Sequence, residues 1–248
     1  MDSQKWHERF VVQAQWTKNL REFLYQQTGL NPQTRVLEVG CGTGAIISDL
    51  NEHLERSACG IDIHFDHLRT AARNTPAYNF ACTDAYQLPF SDDSFDFVVC
   101  HYFLLWIKEP LKVLTEIYRV LSHGGTFIAF AEPDHLGRID APEEFWEIAA
   151  AQTKSLIQQG ANPMMGRLLP ALLNQAGFSD VQFGVSGFQQ PSKLLPAWLD
   201  SEWMLIKEDL RDRIDPLEFE RLRIADLHSR ENGSRVMWIP TFYAFGNK

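Results

Sequence analysis

An α/β fold built on a parallel sheet is the class this sequence predicts, and two observations predict it. From residue 34 to 130 short apolar runs alternate with amphipathic segments, the pattern of repeated β-α-β units. The first apolar run also passes directly into a glycine-dense turn, Val36-Leu37-Glu38-Val39-Gly40-Cys41-Gly42-Thr43-Gly44, followed by an apolar-periodic stretch to Leu54. Glycines there permit positive φ and a close approach of backbone to a ligand at the start of a helix.

Taken in order, the apolar runs predict strands at 35–40, 57–62, 78–83, 95–101 and 125–131, with helices at 44–54, 64–74 and 109–121. His123-Gly124-Gly125 is expected to stop the last helix with a left-handed cap. Further helices are expected near 143–159 and at 167–176, then a strand near 180–188 and a closing strand at 235–245. A helix at 8–27 and a helical insertion at 190–233 stand outside the alternation. The chain thus reads as one domain over 1–248, with a core of 30–189 plus 234–248 and a helical cap from 1–29 and 190–233. Trp6, Trp16 and Tyr25 in the first cap segment, and Trp198 and Trp203 in the second, either pack on the sheet or close a pocket at the C-terminal strand ends.

At 248 residues the chain is long enough for one sizeable α/β domain. Hydrophobic residues at 45% and charged residues at 22% exclude a disordered or fibrous protein. The 32 acids against 23 Lys and Arg leave −9, which argues against a nucleic-acid backbone as partner. The amino terminus lacks the apolar stretch of a signal peptide and no run reaches membrane-spanning length, so a cytoplasmic protein with no membrane partner is expected. Cys41, Cys59, Cys82 and Cys100 lie 18, 23 and 18 residues apart, matching no zinc spacing. Three fall in strands and read as small core residues, and no metal is expected.

Gly40-x-Gly42-x-x-Ala45 by itself also fits a loose dinucleotide fingerprint, which leaves an NAD-dependent oxidoreductase as an alternative. Glu38 separates the readings, since a carboxylate beside the glycine turn repels a pyrophosphate and favours a cationic or zwitterionic ligand such as S-adenosylmethionine. Asp62 ends the second strand 22 residues after Gly40, where a carboxylate reaches ribose hydroxyls, and Asp84 follows the third strand, where it can meet an adenine amino group. Either aspartate alone reads equally as a loop or cap residue. Three acids at three successive strand tips do not.

Glu38-Val39-Gly40-Cys41-Gly42-Thr43-Gly44, Gly60-Ile61-Asp62, Thr83-Asp84-Ala85, Leu88-Pro89-Phe90, Ser94-Phe95-Asp96-Phe97-Val98-Val99 and Glu116-Ile117-Tyr118-Arg119-Val120-Leu121-Ser122-His123-Gly124-Gly125 together resemble the class I S-adenosylmethionine-dependent methyltransferases. The likeness covers about residues 34–132 and is greatest to the small-molecule branch related to ubiquinone and menaquinone methyltransferases. It implies a Rossmann-like seven-stranded sheet in the order 3-2-1-4-5-7-6 with the last strand antiparallel. It also implies that Glu38, Gly40, Cys41, Gly42 and Gly44 hold the methionine end of the cofactor. Asp62 with Ile63 would hold the ribose and Asp84 with Ala85 the adenine, while His101 borders the transferred methyl. S-adenosylhomocysteine is then the product, a small organic molecule the acceptor, and the protein a monomer or homodimer.

Displacement at a sulfonium methyl asks for alignment more than for reactive side chains. A general base, if the acceptor needs one, has candidates in His101, Glu132 and His135, of which His101 reads equally as a structural histidine. Trp16, Tyr102, Trp106, Arg138 and Trp203 are candidates for the acceptor, and Met164 and Met165 for the pocket floor. Arg138 and Arg167 suit either a substrate carboxylate or a surface ion pair, and Asp92 and Asp93 suit a solvated turn. A binder that has lost catalysis is a further alternative. Methylation of tRNA or DNA is disfavoured by Val99-Cys100-His101-Tyr102-Phe103, which replaces the Pro-Pro-aromatic turn that holds a flipped base. Nothing in 198–210 or 216–229 encodes the methylated atom.

Overall fold

The computed structural model describes residues 3–76, 79–186, 196–210 and 214–248. The end of the strand expected at 180–188, the start of the insertion expected at 190 and the side chain of Trp198 lie outside the described residues.

Five strands, β1 (Val36–Val39), β2 (Cys59–Asp62), β3 (Asn79–Cys82), β4 (Phe95–Cys100) and the long β5 (Leu121–Pro133), lie parallel. Helices α3 (Ala45–Leu50), α4 (Phe65–Asn74) and α5 (Pro110–Val120) connect them. The chain then forms β6 (Ile139–Ala141), α6 (Trp146–Gln158), α7 (Met165–Gln175) and β7 (Ser179–Ser186). It ends with α8 (Pro196–Leu210), α9 (Pro216–Glu231), β8 (Val236–Trp238) and β9 (Thr241–Asn247). The main sheet runs β3-β2-β1-β4-β5-β9-β7, with β9 antiparallel to both neighbours. This is the expected order once the separate β6–β8 ribbon is set aside.

β1 is an interior strand, paired on both edges with β2 and β4, and all four of its residues are buried. On one face Leu37, Val98 and Phe127 pack beneath Leu114 and Ile117 of α5 and Leu169 and Leu173 of α7. On the other, Val36, Val99, Ile128 and Phe130 meet Ile46 and Ile47 of α3 and Leu24 of α2 (Lys18–Thr28). A third apolar cluster joins Phe145 and Ile148 to Leu199, Trp203 and Leu222, so α8 and α9 share a small core with α6.

Four expectations are corrected. The helix expected at 8–27 is two, α1 (Ser3–Trp16) and α2, broken at Thr17, whose hydroxyl bonds back to the Ala14 carbonyl at 3.3 Å. α5 stops at Val120 and not at the glycines, because Leu121 is already extended and pairs with Phe95. The Lys248 ammonium donates to the Arg119 and Leu121 carbonyls left at that end (3.1 and 2.7 Å). The closing strand is split into β8 and β9 at Pro240, which has no N–H for a ladder. Cys82 is exposed and Cys59 half-buried, because β3 is the edge strand; Cys41 and Cys100 are buried.

The β6–β8 ribbon is tied to the cap helices by buried ion pairs. Arg235 donates to Asp140 (2.9 Å) and Asp226 (2.7 Å), all with side chains at most 4% exposed. Asp226 also accepts from Arg230 (2.8 Å) and from the Trp203 indole (3.0 Å). Removing one partner of such a network strands the other charges in a dry site. Asp226→Ala is expected to cost about 3–5 kcal/mol, read as a lower urea midpoint, whereas Glu220→Ala in an exposed pair should shift it by about 1 kcal/mol or less.

Candidate active site

A cleft of about 1170 Å³ opens over the C-terminal ends of the parallel strands and runs on between α1, α8 and the β6–β8 ribbon. One half is built from the glycine turn. Gly40, Gly42 and Gly44 have φ of 72, 52 and 83°, and the Gly40 and Cys41 amides both donate to the Ile61 carbonyl at 2.9 Å. A Cβ on Gly40 would lie 2.2 Å from the Phe103 ring, so both conformation and space demand glycine. Gly44 caps α3 and packs toward Ala71 of α4, outside the cleft lining, so its place is structural.

Glu38 is 2% exposed, lines this half and has one carboxylate oxygen, Oε2, without a hydrogen-bond partner. Burial pushes its pKa up to about 8; the Arg21 guanidinium opposes this and Asp62 adds to it. Asp62 locks the turn, accepting from the amides of Gly42 (2.9 Å) and His64 (2.8 Å). Asp84 is exposed and accepts from the Tyr86 amide at 3.0 Å, beside buried Ala85, and Ile63 is an exposed apolar wall. The three acids therefore share one half of the cleft, and Cys41 lines it with a thiol pushed well up by burial.

His101 also borders the cleft, but its Nε2 is engaged by the Thr17 hydroxyl at 2.8 Å. Burial, with the Arg21 charge, holds its pKa well below the ordinary histidine value. Glu132 does not face the cleft, which corrects the expectation from its strand-tip position. It is fully buried and accepts from the successive amides of Phe103 (2.9 Å), Leu104 (2.7 Å) and Leu105 (3.1 Å). Burial raises its pKa to about 7 against those three donors.

The other half holds Trp16, Tyr102, Trp106, His135 and Arg138. Trp203 is corrected: it is 4% exposed inside the cap core, its indole spent on Asp226. Arg138 is spent too, on Asp140 and on the Gln152 side-chain Oε1 at 2.7 Å, so it is no free carboxylate binder. Arg167 pairs with Asp134, and Met165 is core; neither methionine lines the cleft. Asp92 and Asp93 form exposed ion pairs with Arg119 and Lys248. His135 has an unpartnered Nδ1, and burial with nearby Arg138 lowers its pKa to about 4.

Arg9 and Glu202 were not among the candidates. Arg9 shares with Trp6, Gln13 and Trp16 one face of α1, and this three-to-four spacing over the cleft was the available signal.

The family profile described as a methyltransferase domain matches residues 37–129. The chain is 28% identical over 192 residues to demethylmenaquinone methyltransferase of Renibacterium salmoninarum, covering 77% of this chain and 71% of that one. It is 30% identical over 186 residues to 2-methyl-6-phytyl-1,4-hydroquinone methyltransferase of a Synechocystis species, covering 70% and 55%. Among solved structures, the YcgJ protein of Bacillus subtilis shares the fold with a TM-score of 0.62 at 18% identity, over 93% and 98% of the chains. A phosphoethanolamine N-methyltransferase of Haemonchus contortus, complexed with S-adenosylhomocysteine, does so at 0.56 and 16%, over 93% and 53%. Fold and glycine turn thus define a methyltransferase domain. Profile, relatives and fold together support a class I S-adenosylmethionine-dependent methyltransferase. Among the described residues no helix is long and apolar enough to cross a membrane.

With its three backbone donors, Glu132 is placed to position the turn. Glu132→Ala is expected to cost on the order of 3 kcal/mol or more in a denaturant titration, and Glu132→Gln, which keeps one acceptor oxygen, less. An intact fold with activity abolished in Glu132→Gln at every pH would instead mark it as a base.

Proposed function

We propose that this enzyme moves a methyl group from S-adenosylmethionine, held over the glycine turn, to a small organic acceptor in the half of the cleft between α1, α8 and the ribbon. The carrying observation is the buried Glu38 with an unpartnered oxygen, followed by Asp62 and Asp84 at the next two strand tips. An ammonium is the natural complement of that oxygen. Asp62, whose carboxylate has lone pairs left after two backbone bonds, accepts from ribose hydroxyls. Asp84 and the Ala85 backbone take the adenine edge, and Ile63 packs on its face.

When bound, the cofactor supplies a methyl carbon already activated by its sulfonium. The chain's part is alignment and exclusion of water, and positioning of this kind supplies about 7–11 kcal/mol in favourable systems. Trp16, Tyr102, Leu156, Leu205, Met237 and Ile239 give the acceptor half an apolar lining suited to that task. The two relatives are named for a quinone and a hydroquinone, so kinship supports the reaction type and leaves the acceptor to the cleft itself.

Glu38 makes the reading testable through protons. Its folded pKa of about 8 lies above the ordinary 4.5, so the stability it favours is present below 4.5 and is lost as pH rises through 8. A cationic ligand reverses the preference. Calorimetry at pH 7 in buffers of different ionisation heat should show S-adenosylhomocysteine binding with release of a proton, and affinity rising from pH 6 to 8. Glu38→Gln should weaken binding tenfold or more and abolish the proton release, while raising the melting temperature of the free protein at pH 8.5. No heat with either S-adenosyl ligand, beside clear binding of a nicotinamide dinucleotide, would defeat the proposal.

A further inference from the structure

We infer that Arg9 anchors the acceptor through an anionic oxygen, so that the acceptor is an organic acid: a carboxylate, or an ionised phenol or enol. The inference rests on the reading above that the cofactor occupies the glycine half of the cleft.

Arg9 is 4% exposed and lines the cleft. Its Nη2 donates to Glu202 Oε2 at 3.0 Å, yet Nε and Nη1 have no acceptor. A guanidinium cannot shed its proton, so three N–H groups remain as buried donors lacking oxygen partners. The guanidinium carbon sits 4.9 Å from the centre of the Trp16 ring, which restrains the group at the wall of the cleft. The other arginine of this half, Arg138, is already bound to Asp140 and Gln152. His135, whose pKa responds to the Glu202 that pairs with Arg9, offers a second unpartnered nitrogen, Nδ1. Among the described residues, the buried side-chain atoms of this half without a partner are thus the guanidinium donors of Arg9 and one imidazole nitrogen, and the guanidinium donors call for oxygen atoms.

The acids facing the same chamber are Glu202, Glu208 and Asp209. Glu202 is taken by Arg9. Asp209 accepts from the amides of Gln152 (3.4 Å) and Gln159 (3.3 Å), and burial favours its neutral form. Glu208 is exposed. An amine acceptor would use these carboxylates and leave Arg9 unmet, which makes it the rival to test.

The test loads the full chain with S-adenosylhomocysteine and titrates benzoate, benzamide and benzylammonium, rings of one size and three charges, by ligand-observed NMR. Benzoate should bind at least tenfold more tightly than the other two. Arg9→Met/Glu202→Leu, which removes both charges together, should erase that preference while S-adenosylhomocysteine affinity stays within threefold. Arg9→Lys, with the charge but not the fork, should keep only part of it. Glu202→Gln, which keeps Arg9, should tighten benzoate severalfold and serves where the double variant fails to fold. A preference for benzylammonium, or none among the three, overturns the inference. So does a fall of more than tenfold in S-adenosylhomocysteine affinity in the double variant, which would assign Arg9 to the cofactor's own carboxylate. Failure of the parent protein to bind S-adenosylhomocysteine overturns the earlier reading instead, and this one with it.

Discussion

The cleft depends on one buried carboxylate. Glu132 collects three successive amides, those of Phe103, Leu104 and Leu105, and so holds the chain in a tight turn as it leaves β4. Tyr102 enters that turn at a φ of 49°, costly for an aromatic residue, with its own amide donating to the Ala131 carbonyl at 2.9 Å. The turn places the Phe103 ring against Gly40, where no side chain fits. The glycine turn at β1 is therefore shaped from β5, two strands away, through a ring that a carboxylate keeps in place. Convergent backbone N–H groups help this carboxylate stay buried, and among the described residues none forms an ion pair with it.

A second set of bonds fixes the N-terminal helices over the cleft. Arg21, 1% exposed, donates to Asp49 of α3 at 3.0 Å and to the Thr17 hydroxyl at 2.6 Å, and that hydroxyl meets His101. Thr17 is also where α1 and α2 separate, so the break that turns α1 across the strand ends is the point at which it is bonded to His101, the residue that follows β4. From there α1 carries Arg9 to Glu202 of α8, and the two helical segments meet across the cleft. His101 takes part as a neutral hydrogen-bonding group, which its burial favours.

The strands and their acids were legible because burial on both faces of a parallel sheet produces continuous apolar runs, and the acids Glu38, Asp62 and Asp84 stand at fixed offsets from them. The direction of Glu132 was not legible, since strand parity fails where the β5–β9 register shifts between Ala129 and Glu132. Trp203 escaped for a related reason, and of the two readings open for Arg138 the structure shows the ion pair, although a buried one. Their partners make them structural; Asp140 is only two residues from Arg138, but Gln152 and, for Trp203, Asp226 are brought in by the fold and no local pattern announces them. Arg9 is the extreme case, as its carboxylate lies 193 residues away. Cys82 shows the limit of composition, because an apolar-looking run does not reveal that its strand is the sheet edge.

The two halves of the cleft carry opposite unmet demands. Glu38 presents a buried oxygen without a donor on the cofactor side, and Arg9 presents buried donors without an oxygen on the other. On the reading proposed above, such a cleft would take a cationic ligand on one side and an anionic one on the other. Methyl transfer from a sulfonium to an oxyanion destroys both charges, so the reacting pair loses charge on the way to the transition state. Water solvates the separated charges and slows a reaction of that kind, whereas apolar walls such as Trp16, Tyr102, Leu205 and Met237 would favour it by excluding water. On this logic a strong general base is unnecessary. The neutral state that burial imposes on His135, with a pKa of about 4, fits a group that bonds to the acceptor without storing its proton.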